Sequence, residues 1–199
     1  MKDRKLLNIE LGRITADEYV HNRPQSGIVL VLDNIRSAHN VGSAFRTADA
    51  FGVDKVYLGG ICPVPPSPEL HKVALGAEEA VPFQHVEDVV SLVKDLQADG
   101  YTVIAVEQTV HSVKLNEFCA GQRADFRGHR PSFSPRKSAP GQQEKYALVF
   151  GNEVAGVQQE VVDASDFALE IPQRGTKHSL NVSVSIGVVL WGLVQRMNG

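Results

Sequence analysis

The chain has 199 residues, a formal net charge of −3 and 43% hydrophobic residues. That is one domain with at most short extensions, and it carries enough apolar material for a sizeable core. The charge excludes a chain that is basic throughout, so any contact with nucleic acid requires a local basic patch or a groove between two copies.

Residues 1–24 read as a short N-terminal helical extension, with Leu6, Leu7, Ile9, Ile14, Tyr19 and Val20 set among charges and Pro24 closing it. The domain proper is expected over 25–199. Its first element, Gly27-Ile-Val-Leu-Val-Leu32, is a continuous apolar run, the pattern of a strand buried on both faces. After a polar turn at 33–40, Val41, Ala44, Phe45, Ala48 and Phe51 fall at helical spacing, and Gly52 is placed to end that helix. Lys55–Leu58 predicts a second strand, giving a strand–helix–strand unit of parallel, right-handed sense. Four prolines within 59–68 predict a loop. A strand or turn is expected at 80–83, a helix from Val86 to Ala98 and a strand at 101–106. The stretch 119–141, rich in Gly, Pro, Ser and Arg, reads as a long exposed basic loop. A strand at 146–150, a short helix at 157–164, a strand at 167–171 and a closing helix at 181–197 complete an α/β chain with a mostly parallel sheet.

Several chemistries are absent from the sequence. There is no Gly-x-Gly-x-x-Gly after a strand, no phosphate loop ending in Gly-Lys-Ser/Thr, no His-Glu-x-x-His and no Gly-x-Ser-x-Gly. Cys62 and Cys119 lack metal-ligand spacing and read as free, partly buried thiols. The N-terminus is charged and without the apolar segment of a secretory leader. The apolar run over 182–194 is broken by Ser183, Ser185, Gly187 and Gly192, too polar for a membrane span. A cytoplasmic protein is expected.

In an open parallel sheet, ligands bind beyond the carboxyl ends of the strands. Polar groups and glycines concentrate there: Asn34, Arg36, Asn40, Gly42 and Arg46 after the first strand, Glu107 and Gln108 after 102–106, Gly151, Asn152, Glu153 and Gly156 after 146–150, and the segment following Ile171. Three of these stretches, LDNIRSAHNVGSAFRTADAFG (32–52), LVFGNEVAG (148–156) and IPQRGTKHSLNVSVSIGVVLW (171–191), resemble, in order, the three motifs of the SpoU (TrmH-like) family of the SPOUT superfamily. These are S-adenosylmethionine-dependent RNA ribose 2′-O-methyltransferases. The resemblance spans roughly residues 27–197. It implies a parallel sheet with a deep C-terminal trefoil knot, which patterning does not reveal, a homodimer, and a cofactor held in the knot by backbone groups of three loops. It implies no metal, because a sulfonium donates the methyl group.

Carried over by position, the resemblance makes Arg46, Asn40, Glu153, Ser179 and Asn181 the catalytic set, and Val106, Gly151, Ile171, Ser179 and Leu180 the cofactor contacts. Taken singly, each has a plainer reading. Asn40 could cap its helix, Arg46 could be a solvated helix face, Glu153 an exposed charge, and Ser179 or Asn181 the cap of the closing helix. Glu153 is expected to organise Arg46 or the adjoining loop through an ion pair. A guanidinium is hard to deprotonate, so Arg46 suits anchoring of RNA phosphate or stabilisation of oxyanion charge better than proton abstraction. The stripe Val182, Ile186, Val189, Leu193 and Met197 suits core or dimer packing, and Gly187 and Gly192 hint at close helix approach, as across a dimer. For RNA contact the candidates are Arg123, Arg127, Arg130, Arg136 and Lys137 in the basic loop, with Lys177 and His178 beside the site. The loop reads equally well as a polar insertion without that role. The RNA is tRNA or rRNA, with tRNA favoured slightly. Two other classes stay open: a non-catalytic RNA-binding relative, and an unrelated small-molecule α/β enzyme.

Overall fold

The computed structural model describes residues 4–12, 18, 25–120, 136, 143–177 and 179–198. Strand β1 (Ile28–Asp33) feeds helix α1 (Ala38–Ala50), followed by β2 (Lys55–Gly59), α2 (Pro68–Ala74), α3 (Ala77–Ala80) and β3 (Phe83–Val86). Next come α4 (Val89–Ala98), β4 (Thr102–Val106), β5 (Val113–Lys114), α5 (Leu115–Cys119), β6 (Tyr146–Phe150), α6 (Gln159–Ala164), β7 (Phe167–Glu170) and α7 (Val182–Asn198). A 3-10 turn at Asn8–Leu11 is the regular element described within the N-terminal extension.

The strands form a seven-stranded sheet in the order β3-β2-β1-β6-β4-β7-β5, parallel at every pairing. Alternation along each central strand divides the core in two. Ile28, Leu30 and Leu32 join Phe45, Leu70, Phe118, Ile186 and Leu190 on one face; Val29 and Val31 join Val93, Leu96 and Val161 on the other. Both faces are covered, which is why the strands read as unbroken apolar runs.

The loop expected at 59–68 is present over 60–67, and two short helices follow it where the sequence pattern predicted no element. Ser67 caps α2 by accepting the Leu70 N–H at 3.4 Å, and Pro68 occupies the first turn, where its missing N–H costs nothing. Counting prolines hides that start signal. α2 lies so close to α1 that a Cβ on Gly42 would fall 2.6 Å from the Leu70 carbonyl oxygen. Val86 belongs to β3 rather than to the helix after it, because Asp88 caps that helix through the Ser91 N–H at 3.0 Å. The short elements β5 and α5 have no counterpart in the sequence pattern; seven residues hold too little periodicity to be read.

α7 packs its Ile186, Val189, Leu190 and Leu193 into the core, with Val182 and Met197 against its margin. The close approach at Gly192 is internal: a Cβ there would fall 2.8 Å from Cys119 Sγ and 3.3 Å from Leu115 Cδ1. At Gly187 an added Cβ would meet nothing within 4 Å. Between β7 and α7 the chain crosses from beyond β4 to the exit of β1, past the ends of β6 and β4. That path is consistent with the knot implied by the family resemblance. No helix among the described residues is long and apolar enough to cross a membrane.

Candidate active site

Because the strands are parallel, their carboxyl ends share one end of the sheet, and the three motif stretches meet there. Ser37, not Asn40, caps α1: its Oγ accepts the Asn40 N–H at 3.2 Å. Asn40 therefore keeps its side chain for the site. Its Nδ2 donates to Glu153 Oε1 at 2.9 Å, and its Oδ1 accepts from Asn181 Nδ2 at 3.2 Å. Asn181 both caps its helix and reaches across to α1. Its Oδ1 accepts the Ser183 N–H at 2.9 Å and the Ser183 hydroxyl at 2.5 Å, capping α7, while its amide reaches Asn40. The line Glu153–Asn40–Asn181 thus joins the exits of β6, β1 and β7.

Glu153 also accepts the Arg36 and Ser37 N–H groups, each at 3.2 Å. Partial burial works to raise its pKa, but the hydrogen bonds from Asn40 and these amides outweigh it and hold the carboxyl below its ordinary value. Of the two partners expected for Glu153, Arg46 or the adjoining loop, it holds the loop and the start of α1, through hydrogen bonds rather than an ion pair. Arg46 stands exposed on α1, opposite the buried Phe45 and Ala48, without a hydrogen bond or ion pair to any described residue. Among those residues its guanidinium is uncommitted.

Val106 ends β4, and Gly151 and Ile171 directly follow β6 and β7, its two neighbours in the sheet. Val106 pairs with Leu169 and Ala105 with Val149, so Gly151 lies one residue and Ile171 two residues beyond Val106, and the three present backbone to a shared rim. Gly151 is required by the chain itself: a Cβ would fall 2.1 Å from Gly156 C and Val157 N. Ser179 and Leu180 are exposed in the β7–α7 connection, beside Asn181. Asn152, given no role from sequence, shapes the turn. Its Nδ2 donates to the Asn34 carbonyl at 2.7 Å and its Oδ1 accepts the Val154 and Ala155 N–H groups at 2.9 and 3.2 Å. An Asn two or three residues before free amides is a turn signal that could have been read.

Among the RNA-contact candidates, Arg123, Arg127, Arg130, Lys137 and His178 lie outside the described residues. Lys177 is exposed near the site. Arg136 is committed elsewhere. Its guanidinium pairs with Asp166 at 2.8 Å and its N–H donates to Thr102 Oγ1 at 2.8 Å, at the amino end of the sheet and away from the site. Both cysteines are free thiols, and burial pushes Cys62 up to about 11, which disfavours its thiolate.

The SpoU rRNA Methylase family model matches residues 27–191. The 23S rRNA (guanosine-2′-O-)-methyltransferase RlmB of Coxiella burnetii is 30% identical over 169 residues, 85% of this chain and 58% of that protein. The RlmB of Nitrosomonas europaea is 30% identical over 181 residues, 89% of this chain and 59% of that protein. The chain thus spans less than two thirds of the length of these relatives. An AdoMet-bound rRNA methyltransferase from Sinorhizobium meliloti shares the fold at a TM-score of 0.67 and 25% identity, covering 87% of this chain and 57% of that one. A structure concerned with 2-OH methylation of C/U34 on tRNA has a TM-score of 0.64 at 27% identity, covering 86% of this chain and 97% of that one. With that match over residues 27–191 and the three motif stretches joined at one site, the chain belongs to the SpoU rRNA Methylase family.

Proposed function

We propose that the protein is an S-adenosylmethionine-dependent methyltransferase acting on a ribose 2′-hydroxyl in structured RNA. The observation that carries this reading is the hydrogen-bonded line Glu153–Asn40–Asn181, which assembles one site from three separate stretches of chain. The donor set at the rim suits the cofactor. Val106, Gly151 and Ile171 would hold it through backbone groups at three adjacent strand exits, with Ser179 and Leu180 closing one side. When bound, S-adenosylmethionine supplies an electrophilic methyl group on a sulfonium.

The chain's own residues then have mainly orientation and electrostatics to provide. Glu153, Asn40 and Asn181 fix the relative positions of the three loops. Arg46, permanently charged and uncommitted among the described residues, anchors RNA phosphate or stabilises charge developing on the ribose oxygen. Lys177 adds a cation at the mouth.

For the RNA, tRNA is the preferred substrate class. The tRNA-related structure is matched over 97% of its length, whereas the 23S rRNA enzymes are matched over 58% and 59% of theirs. The working form is a cytoplasmic homodimer. On α7, Val184, Val188 and Trp191 are 51%, 37% and 59% exposed, in line with Leu180 and next to the open Gly187. Such a face fits a second copy of the helix.

The direct test replaces Arg46 with Ala. Methyl transfer to RNA is expected to vanish while S-adenosylmethionine affinity stays near wild type; a fully active variant removes Arg46 from the mechanism. Cofactor binding by the wild type with no transfer to any RNA would favour a non-catalytic RNA-binding relative instead.

A further inference from the structure

The turn that carries Glu153 is gripped from both sides by carboxylates that none of the roles above involves. Strand β6 lies between β1 and β4, and the turn after it folds tightly on itself. Asn152 and Gly156 exchange two backbone hydrogen bonds, each 2.9 Å. From the β1 side, Asp33, 0% exposed, accepts the Gln158 N–H at 3.0 Å and Gln158 Nε2 at 2.9 Å. From the β4 side, Glu107 accepts the Val157 N–H at 3.0 Å. Gly156 makes room for that carboxylate: its φ is +72°, and a Cβ would fall 2.2 Å from Glu107 Oε2. Two consecutive amides are therefore held by acids from the two flanking strands. A fully buried carboxylate is a costly way to close a turn unless its hydrogen bonds are needed where they are.

We infer that Asp33 and Glu107 are positioning residues for the methyl-transfer site. They set the turn so that Glu153 meets Asn40 on one side and Gly151 keeps its place beside the end of β4 on the other. The inference rests on the methyltransferase reading above. The two acids act on different halves of the reaction. Asp33 ends the strand that leads to Asn40 and Arg46, so it governs the reacting geometry. Glu107 directly follows Val106, so it governs the cofactor rim.

The test uses the full-length protein, with S-adenosylmethionine binding followed calorimetrically. Transfer to total RNA is followed with labelled cofactor, and amide hydrogen exchange is read at Val157 and Gln158. Asp33→Asn keeps the side-chain volume but turns one acceptor into a donor. It is expected to speed exchange at Gln158 and lower kcat by about 100-fold, as a misplacement of about 1 Å does, with cofactor affinity within about twofold. Glu107→Ala is expected to speed exchange at Val157 and weaken cofactor binding by about tenfold or more, and Glu107→Gln, which keeps an acceptor oxygen at the same reach, to restore most of it. Unchanged exchange in both Asp33→Asn and Glu107→Ala overturns the clamp. So does faster exchange with kcat and affinity intact, or a uniform loss of both that merely follows a lower melting temperature. If the wild type neither binds the cofactor nor methylates RNA, the functional reading fails by itself, and exchange at the two amides still decides whether the acids hold the turn.

Discussion

Replacing Glu153 with Gln tests the central hydrogen-bonded line with almost no change of shape. In the wild type, one carboxylate oxygen serves the Ser37 N–H and Asn40 Nδ2, and the other serves the Arg36 N–H. The amide of the substituted side chain can face its carbonyl oxygen to Ser37 and Asn40, which turns its NH2 against the Arg36 N–H. One hydrogen bond is lost and two lose their charge assistance. At this exposed position that is worth about 1–2 kcal/mol in all, or roughly 2–4 °C of melting temperature per kcal/mol for a chain of this size. The pH dependence gives a sharper check. The folded pKa of Glu153 lies below its ordinary value of 4.5. Its contribution is therefore fully present above that value and disappears as pH falls through the lowered folded value. Thermal melts of wild type and variant should differ by a constant amount near neutrality and converge in acid, where the protonated Glu153 carboxyl is as uncharged as the amide that replaces it. Methyl transfer should fall about tenfold or more, because the Arg36 N–H loses its acceptor and the turn that positions Asn40 is loosened. Equal melting temperatures at neutral pH, or a gap that persists undiminished in strong acid, would refute this account of Glu153.

Two glycines of α7 should respond in opposite senses. Gly192→Val drives a side chain into Cys119 and Leu115 and should destabilise by about 1–3 kcal/mol in denaturant titration. Gly187→Ala meets nothing among the described residues and should add about 0.5–1 kcal/mol to the isolated protomer's stability. Val184→Lys combined with Val188→Lys places charge on the exposed face of α7 and should convert a dimer to a monomer in light scattering; an unchanged dimer mass would move the interface elsewhere.

The central strands were legible because burial on both faces leaves a continuous apolar run, and β6 begins and ends where that run does. α2 was obscured because Pro65 and Pro66 mark a loop while Pro68, three residues beyond Pro65, starts a helix; only the Ser67 cap separates the two meanings. The site was legible through the family motifs, since no periodicity shows that Asn40 and Asn181, 141 residues apart, share a hydrogen bond. Single-residue roles were harder. Ser37 and Asn40 are both good caps by type, and only the geometry frees Asn40 for Glu153. The same holds for Gly192, whose reason is a packed cysteine within the chain, and for Arg136, whose charge is satisfied by Asp166.

The most direct measurement incubates the protein with methyl-labelled S-adenosylmethionine and RNA from cells lacking it, then digests the RNA to nucleosides and locates the label. The account predicts a 2′-O-methylated nucleoside in the tRNA fraction, absent when Arg46→Ala protein is used. Label on a nucleobase, or no label in any RNA despite bound cofactor, would contradict it.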